Sequence, residues 1–311
     1  MAEWQSGKVR SRRTHEAIRR LAEPLSRLLR RAGRPARART KSLCHFATLP
    51  LCNFLLMGCS NPTNPNFNIN PGAYRAEVAR IAANPKPLDV PLVILDAWHH
   101  PPASADGLRK RLANLTGATE EDTLAISFTV LFSIDAAARR TINRIEERWP
   151  STDPDETIEV DVVGYSMGGI VARYAADAWD QLPPDSRPAR RLNIRNLYTI
   201  ASPHRGARLA RFIFPDPAAW SMRPGSNLLT MLDAARAEHE RYNLICYTQL
   251  NDVTVGASNT APPGETTLWV PGTWLLSHQT VRTNRHILLD IALRLRAEPP
   301  LAEPGEPPPK N

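Results

Sequence analysis

Cysteine is scarce in this sequence: Cys44, Cys52, Cys59 and Cys246 are the four in a chain of 311 residues. Of these, Cys246 alone lies in a plausible core element, the apolar run Leu244-Ile245-Cys246-Tyr247, so the body of the chain has no disulfide framework available to it. Cys246 reads as a small buried filler. Also missing is any uncharged apolar run of 18 or more residues, which leaves no convincing transmembrane helix. No internal repeat is present. The formal charge of +8 is absent from most of the chain: residues 1–41 carry 13 Lys and Arg against Glu3, Glu16 and Glu23, a net of +10, so residues 42–311 hold 26 basic and 28 acidic groups, a net of −2. A body with that balance is not a basic protein, and nucleic acid is dropped as a partner. What is there, 42% apolar and 23% charged residues, is a globular composition long enough for one large domain or two small ones.

Residues 43–58 form an uncharged, mostly apolar run of 16, preceded by the basic stretch Arg30 to Lys41 and followed by Cys59-Ser60. A basic flank, a short apolar centre and small residues at the cut are the parts of a secretory signal, and the run is too short to span a bilayer. Leu56-Met57-Gly58-Cys59 resembles the bacterial lipobox, which implies removal of residues 1–58 and a lipid on Cys59. The chain would then sit in the bacterial cell envelope, anchored at a periplasmic face or at the cell surface. The Arg-rich lead is longer than the basic region such signals usually carry. Residues 59–72, dominated by Asn and Pro, read as a flexible tether.

From residue 73 the pattern alternates short β-rich runs with helical stretches, the signature of an α/β domain over 73–297 with a mostly parallel central sheet flanked by helices. Strands are expected at Pro91–Asp96, Leu124–Phe128, Ile158–Gly164, Ile194–Ala201 and Tyr242–Tyr247, with a weaker sixth at Thr266–Val270. Helices are expected over Tyr74–Ala83, Ser104–Leu115, Ile134–Trp149, Met167–Trp179 and Thr280–Arg296. Residues 205–241 mix Phe212, Phe214, Trp220 and Met222 with prolines and are the candidate for a cap-like insertion. The tail 298–311, with six prolines, is expected to be disordered.

Gly164-Tyr165-Ser166-Met167-Gly168-Gly169 follows a strand candidate and opens a helix. That context is what a nucleophile elbow requires: a strained turn lifts the Ser side chain above the sheet, and Gly164 and Gly168 let the turn close. A serine hydroxyl is a poor nucleophile at neutral pH, so a base must take its proton and a carboxylate must orient that base. Asp252, in the loop after the fifth strand, and His278, after the last strand, stand where acid and base belong in the order Ser, acid, His. His286 is the rival base inside a helix, and Asp233 and Asp290 are helical carboxylates away from any strand end. His99, His100 and His204 lie near strand ends and suit structural roles better than catalytic ones.

Asp161–Ala175 and Leu197–Arg208 resemble the bacterial lipase and esterase branch of the α/β-hydrolase superfamily, including the GPI-inositol-deacylase-like lipases. Arg223-Pro224-Gly225-Ser226 with Leu228 and Leu229 resembles a segment that such lipases carry. The resemblance runs over about 91–295 and implies the α/β-hydrolase fold and cleavage of carboxylic esters, lipid-like ones among them, through an acyl-enzyme. It implies Ser166, Asp252 and His278 as catalytic residues, backbone amides of Met167 and Trp98 as the oxyanion hole, and neither metal nor organic cofactor. One departure stands out: Asp96-Ala97 occupies the place where these lipases usually carry His-Gly. Thioesterases, amidases and acyltransferases share the same triad geometry, and an inactive, hydrolase-like binding lipoprotein is a further alternative.

Overall fold

The computed structural model describes residue 67 and residues 69–212, 216–273 and 275–309. The basic lead, the signal run, Cys59 and most of the tether lie outside the described residues, as does Phe214. Among the described residues no helix is long and apolar enough to cross a membrane.

Among the described residues the first helix is α1 (Pro71–Ala83), after which strand and helix alternate: β1 (Leu92–Trp98), α2 (Pro102–Thr116), β2 (Thr123–Phe128), α3 (Ile134–Arg148), β3 (Val160–Tyr165) and α4 (Met167–Asp177). It continues through β4 (Ile194–Ile200), α5 (Pro217–Ser221), α6 (Asn227–Glu238), β5 (Asn243–Gln249), β6 (Thr267–Val270), α7 (Ser277–Thr280) and α8 (Arg285–Leu295). The six strands form one sheet in the order β2-β1-β3-β4-β5-β6, and every neighbouring pair is parallel. Parallel neighbours need a crossover between them, so helices end on both faces and the inner strands are buried on both sides.

The two-residue period of the strands shows in the two cores. Val93, Leu95, Val160 and Val162 point to the face covered by α3, α4 and α6. Leu92, Ile94, Val163 and Tyr165 point to the opposite face, covered by α2 and α8. The strand order reverses between β1 and β3, which opens a crevice at their carboxyl ends where ligands of open α/β sheets bind.

Three expectations change. Residues 205–241 are not all cap: α6 is a core helix, burying Leu229, Leu232 and Ala235, because β4 and β5 are parallel and their connection must cross the sheet. Its start is set by Ser226, whose side chain accepts the Leu229 N–H. The helix expected over Thr280–Arg296 is broken into α7, a short turn and α8, since Asn284 caps a fresh start by accepting the N–H groups of His286 and Ile287. The tail, expected to be disordered, is tied down over its described part. Leu301 and Ala302 donate their N–H groups to Asp290 Oδ1 at 2.6 and 2.9 Å, and Trp269 Nε1 donates to the Glu306 carbonyl at 2.9 Å. Proline richness lowers the chain entropy lost on docking, and it does not prevent side chains elsewhere from binding the tail's carbonyls and amides.

Candidate active site

β3 runs through the middle of the sheet with all six residues buried, and it delivers Ser166 to the crevice. Ser166 adopts φ +53°, ψ −119°, a backbone conformation that costs a non-glycine residue roughly 1–3 kcal/mol and persists only where its surroundings hold it. They do. Its N–H donates to the Ile200 carbonyl at 2.8 Å, and its carbonyl accepts from Gly169 at 3.2 Å. Helix α4 starts at the next residue and is pressed against the sheet: a Cβ on Gly164 would lie 2.5 Å from Gly169 N, and one on Gly168 would lie 2.2 Å from the Leu95 carbonyl oxygen. Ser166 stands at the N-cap of α4 but makes no capping bond, so its hydroxyl is turned elsewhere.

It is turned to His278, whose Nε2 lies 3.0 Å from Ser166 Oγ. On the other edge of the ring, Nδ1 lies 2.8 Å from Asp252 Oδ2. A carboxylate can only accept, so the proton is on Nδ1 and Nε2 presents a lone pair to the serine hydroxyl. Asp252 is 1% exposed. Its Oδ1 accepts the N–H groups of Thr254 and Val255, each at 2.9 Å, in a turn that begins at Asn251 with φ +61°, a conformation asparagine tolerates. The backbone of His278 is held by Tyr165, whose hydroxyl donates to the His278 carbonyl at 2.7 Å, and the two rings lie 5.5 Å apart. Burial pushes the Tyr165 phenol well above its ordinary value, so it stays a neutral donor.

Ser166, His278, Trp98 and His100 share a cavity of about 140 Å3 with Leu209, Ala219 and Met222 of the β4 connection. Ala207, Leu209, Ala210, Ala219 and Met222 of the expected cap therefore do line the serine's cavity. A larger hollow of about 510 Å3 beside Arg236 and Glu265 holds no nucleophile and base.

Met167 opens α4 beside the serine, where backbone N–H groups at a helix start favour negative charge. Trp98 ends β1, and its indole Nε1 donates to Asp216 Oδ2 at 3.1 Å, which ties the strand to the start of α5. The Ala97 N–H is taken up by Asp96 Oδ1 at 2.8 Å and so is not free for a substrate. Asp96 also accepts from Ser104 Oγ at 3.2 Å, and Ser104 accepts from Arg282. His100 Nδ1 lies 3.2 Å from that same hydroxyl.

The other histidines are placed apart from the serine's hydrogen bonds. His286 packs edge-on against Tyr74. His204 is fully buried between Arg173, which donates to its Nδ1 at 3.3 Å, and Thr199 Oγ1 at 3.1 Å from Nε2. Burial and the Arg173 charge hold its pKa well below the ordinary value, so it is a neutral structural bridge. Arg173 also pairs with Asp233 at 3.1 Å, which engages one rival carboxylate; Asp290, the other, binds Tyr247 and the tail. Cys246 is buried, and burial pushes its thiol up to about 12, leaving it unreactive. Among the described residues no three His, Cys, Asp or Glu side chains are grouped to hold a metal ion.

The sequence of residues 108–214 matches a family described as the PGAP1-like alpha/beta domain. No curated protein matches the chain. Among solved structures, it is similar to the mature lipase BlEst2 of Bacillus licheniformis, at 14% identity over 65% of this chain and 89% of that one, with a TM-score of 0.43. It is also similar to Aspergillus fumigatus lipase B, at 14% identity over 86% of this chain and 65% of that one, TM-score 0.48. To the phospholipase PlaB of Legionella pneumophila the identity is 12% over 55% of this chain, TM-score 0.38, and the match spans less than half, 44%, of that protein. A parallel six-stranded sheet in this order, with a serine on the sharp turn between its central strand and the next helix, is the α/β-hydrolase fold.

Proposed function

We propose that this chain is a serine hydrolase that cleaves carboxylic esters through an acyl-enzyme. The observation that carries the reading is the unbroken line of contacts from Ser166 Oγ through His278 to Asp252 at 3.0 and 2.8 Å, on a strained turn. His278 Nε2 takes the Ser166 proton as Oγ attacks the ester carbonyl carbon, and Asp252 stabilises the imidazolium that forms. The Met167 and Trp98 amides receive the oxyanion. His278 then returns the proton to the departing alcohol, and water repeats the cycle on the acyl-serine to release the acid.

Lipid-like esters suit a cavity lined by Leu209, Ala219 and Met222. A lipid on Cys59, inferred from Leu56-Met57-Gly58-Cys59, would hold the enzyme in the cell envelope beside such substrates. The test is hydrolysis of acyl esters of graded length, beside matched thioesters and amides, by the chain and by Ser166→Ala. Activity that Ser166→Ala abolishes, together with fluorophosphonate labelling at Ser166, is the expected result. An unlabelled and inactive chain would leave the binding-lipoprotein reading standing. Metabolic labelling with a fatty acid, lost in Cys59→Ser, tests the anchor.

A further inference from the structure

A single exposed apolar side chain carries no information, but the arrangement of several can. Among the described residues eight large apolar side chains are exposed. Val130 and Phe132 follow β2, and Leu209, Phe212 and Trp220 follow β4. The remaining three, Val253 after β5 and Leu275 and Leu276 after β6, sit at the same end. In a parallel sheet each such connection leaves from the carboxyl edge, the edge on which Ser166 follows β3. All eight therefore belong to the rim around the cleft, and the opposite edge has none of them.

The net charge on this rim is positive. Residues 129–133 and 271–276 contain no charged residue. The β4 connection, 201–226, contributes Arg205, Arg208, Arg211 and Arg223 against Asp216 alone. Asp216 is 4% exposed and bonded to Trp98 and Ala219, and Asp252 is held by His278. Arg205 and Arg223 donate to the carbonyls of Pro262 and Ala210, bonds that leave their charge intact. Asp106, in the second turn of α2, and Asp135, in the first turn of α3, are offset by Arg109, Lys110 and Arg139.

We propose that this rim is a docking surface for an anionic lipid bilayer, with Phe212, Val130 and Leu276 in the acyl boundary and the arginines at the level of the phosphates. A rigid protein laid across the rim would close the cleft it encircles, whereas a fluid bilayer fits irregular loops and leaves the opening supplied. The surface is argued from exposure and charge, so it stands apart from whether Ser166 cleaves esters.

The test is flotation of the full chain carrying Cys59→Ser, which removes the lipid attachment point, with vesicles of phosphatidylcholine alone or mixed with phosphatidylglycerol. Residues 1–41 are themselves basic, so every variant is compared with its parent. The double variant Phe212→Asp and Leu276→Asp should bind the mixed vesicles about tenfold more weakly. Arg211→Gln should lose roughly fivefold on the mixed vesicles and nothing on the neutral ones. Ala237→Asp, at the opposite edge, should match the parent. Trp220→Phe, a mild change, should reduce quenching of the chain's fluorescence by brominated lipid, which reads orientation without a disruptive variant. A double variant that floats like its parent, or quenching unchanged by Trp220→Phe, overturns the proposal. So does a parent that ignores both vesicles and sediments as a dimer, which would assign the rim to a second copy.

Discussion

Replacing Asp252 by asparagine should inactivate this chain without unfolding it, and the reason is readable from its two oxygens. Oδ1 accepts the N–H groups of Thr254 and Val255, and an asparagine carbonyl can keep both bonds. Oδ2 accepts from His278 Nδ1, and there the asparagine NH2 must donate instead. The imidazole then carries its proton on Nε2 and points a donor at Ser166 Oγ, so it can no longer take the serine proton. The loss expected for a triad held in the wrong tautomer is about 10^4-fold in kcat, or about 5 kcal/mol of transition-state stabilisation. Asp252→Ala removes the same orientation and also strands two buried amides, at about 1–3 kcal/mol each. Steady-state hydrolysis of a short activated ester, paired with thermal melts, separates the two. Asparagine should lower kcat with little change in Tm, and alanine should lower both. An asparagine variant within tenfold of the parent would refute the tautomer argument, and an alanine variant with the parent's Tm would refute the anchoring one.

Gly168→Ala should cost about 3 kcal/mol of stability, because its Cβ would sit 2.2 Å from the Leu95 carbonyl oxygen and backbone must move; an unchanged urea midpoint would contradict the close packing of α4 on β1. Burial raises the Asp177 carboxyl to about 6, against the Tyr242 hydrogen bond and Arg173, which act to lower it. Its folded value lies above the ordinary 3.8, so this group's contribution is full below about pH 4 and is lost as pH rises through 6, by about 3 kcal/mol. The stability of Asp177→Asn relative to the parent should accordingly improve from about pH 4 to about pH 7, and a pH-independent difference would be the contrary result. Met222→Ala should shift the preferred acyl chain to longer lengths, since Met222 lines a cavity of only about 140 Å3; kcat/KM across a graded ester series reads this, and an unmoved optimum would place the acyl chain elsewhere.

The turn that carries Ser166 was legible because everything that defines it is local: an apolar strand before it, glycines on either side and a helix behind. All six strands were legible within about two residues for a similar reason, as their apolar runs are short and bounded by turn residues. The meeting of Ser166 with His278, 112 residues away, could be inferred only from chain order within a fold, and distances were needed to see it. Interactions with no sequence pattern stayed hidden. Arg173 at the centre of His204, Asp177 and Asp233 is one example, and it explains how a fully buried arginine sits in a helix that is buried along its whole length. Helix α6 was given no bounds, although Asp233 was read as helical, because the proline-rich residues before it drew 205–241 into one cap candidate; Ser226 with apolar Leu228, Leu229, Met231 and Leu232 carries a helix start and a buried stripe.

The pair Asp96-Ala97 invites an electrostatic objection, since a carboxylate near the proposed oxyanion hole would oppose the charge that forms there. Its surroundings meet the objection at Oδ1, while Oδ2 is buried with no hydrogen-bond partner among the described residues. Asp96 turns Oδ1 back to the Ala97 N–H and to Ser104, and Ser104 is held by Arg282, so a guanidinium stands one hydroxyl away from the carboxylate. Asp96 also lies beside His100, with Oδ1 at 3.5 Å from Nδ1. The same bonds fix the end of β1 from below, while the Trp98 indole bonded to Asp216 fixes it from above through the β4 connection. A backbone amide can stabilise a forming anion only if it is held in place before the charge appears. A carboxylate that binds its own backbone does for this strand what conformational freedom at a glycine cannot, which makes Asp96-Ala97 compatible with the oxyanion hole proposed at Met167 and Trp98.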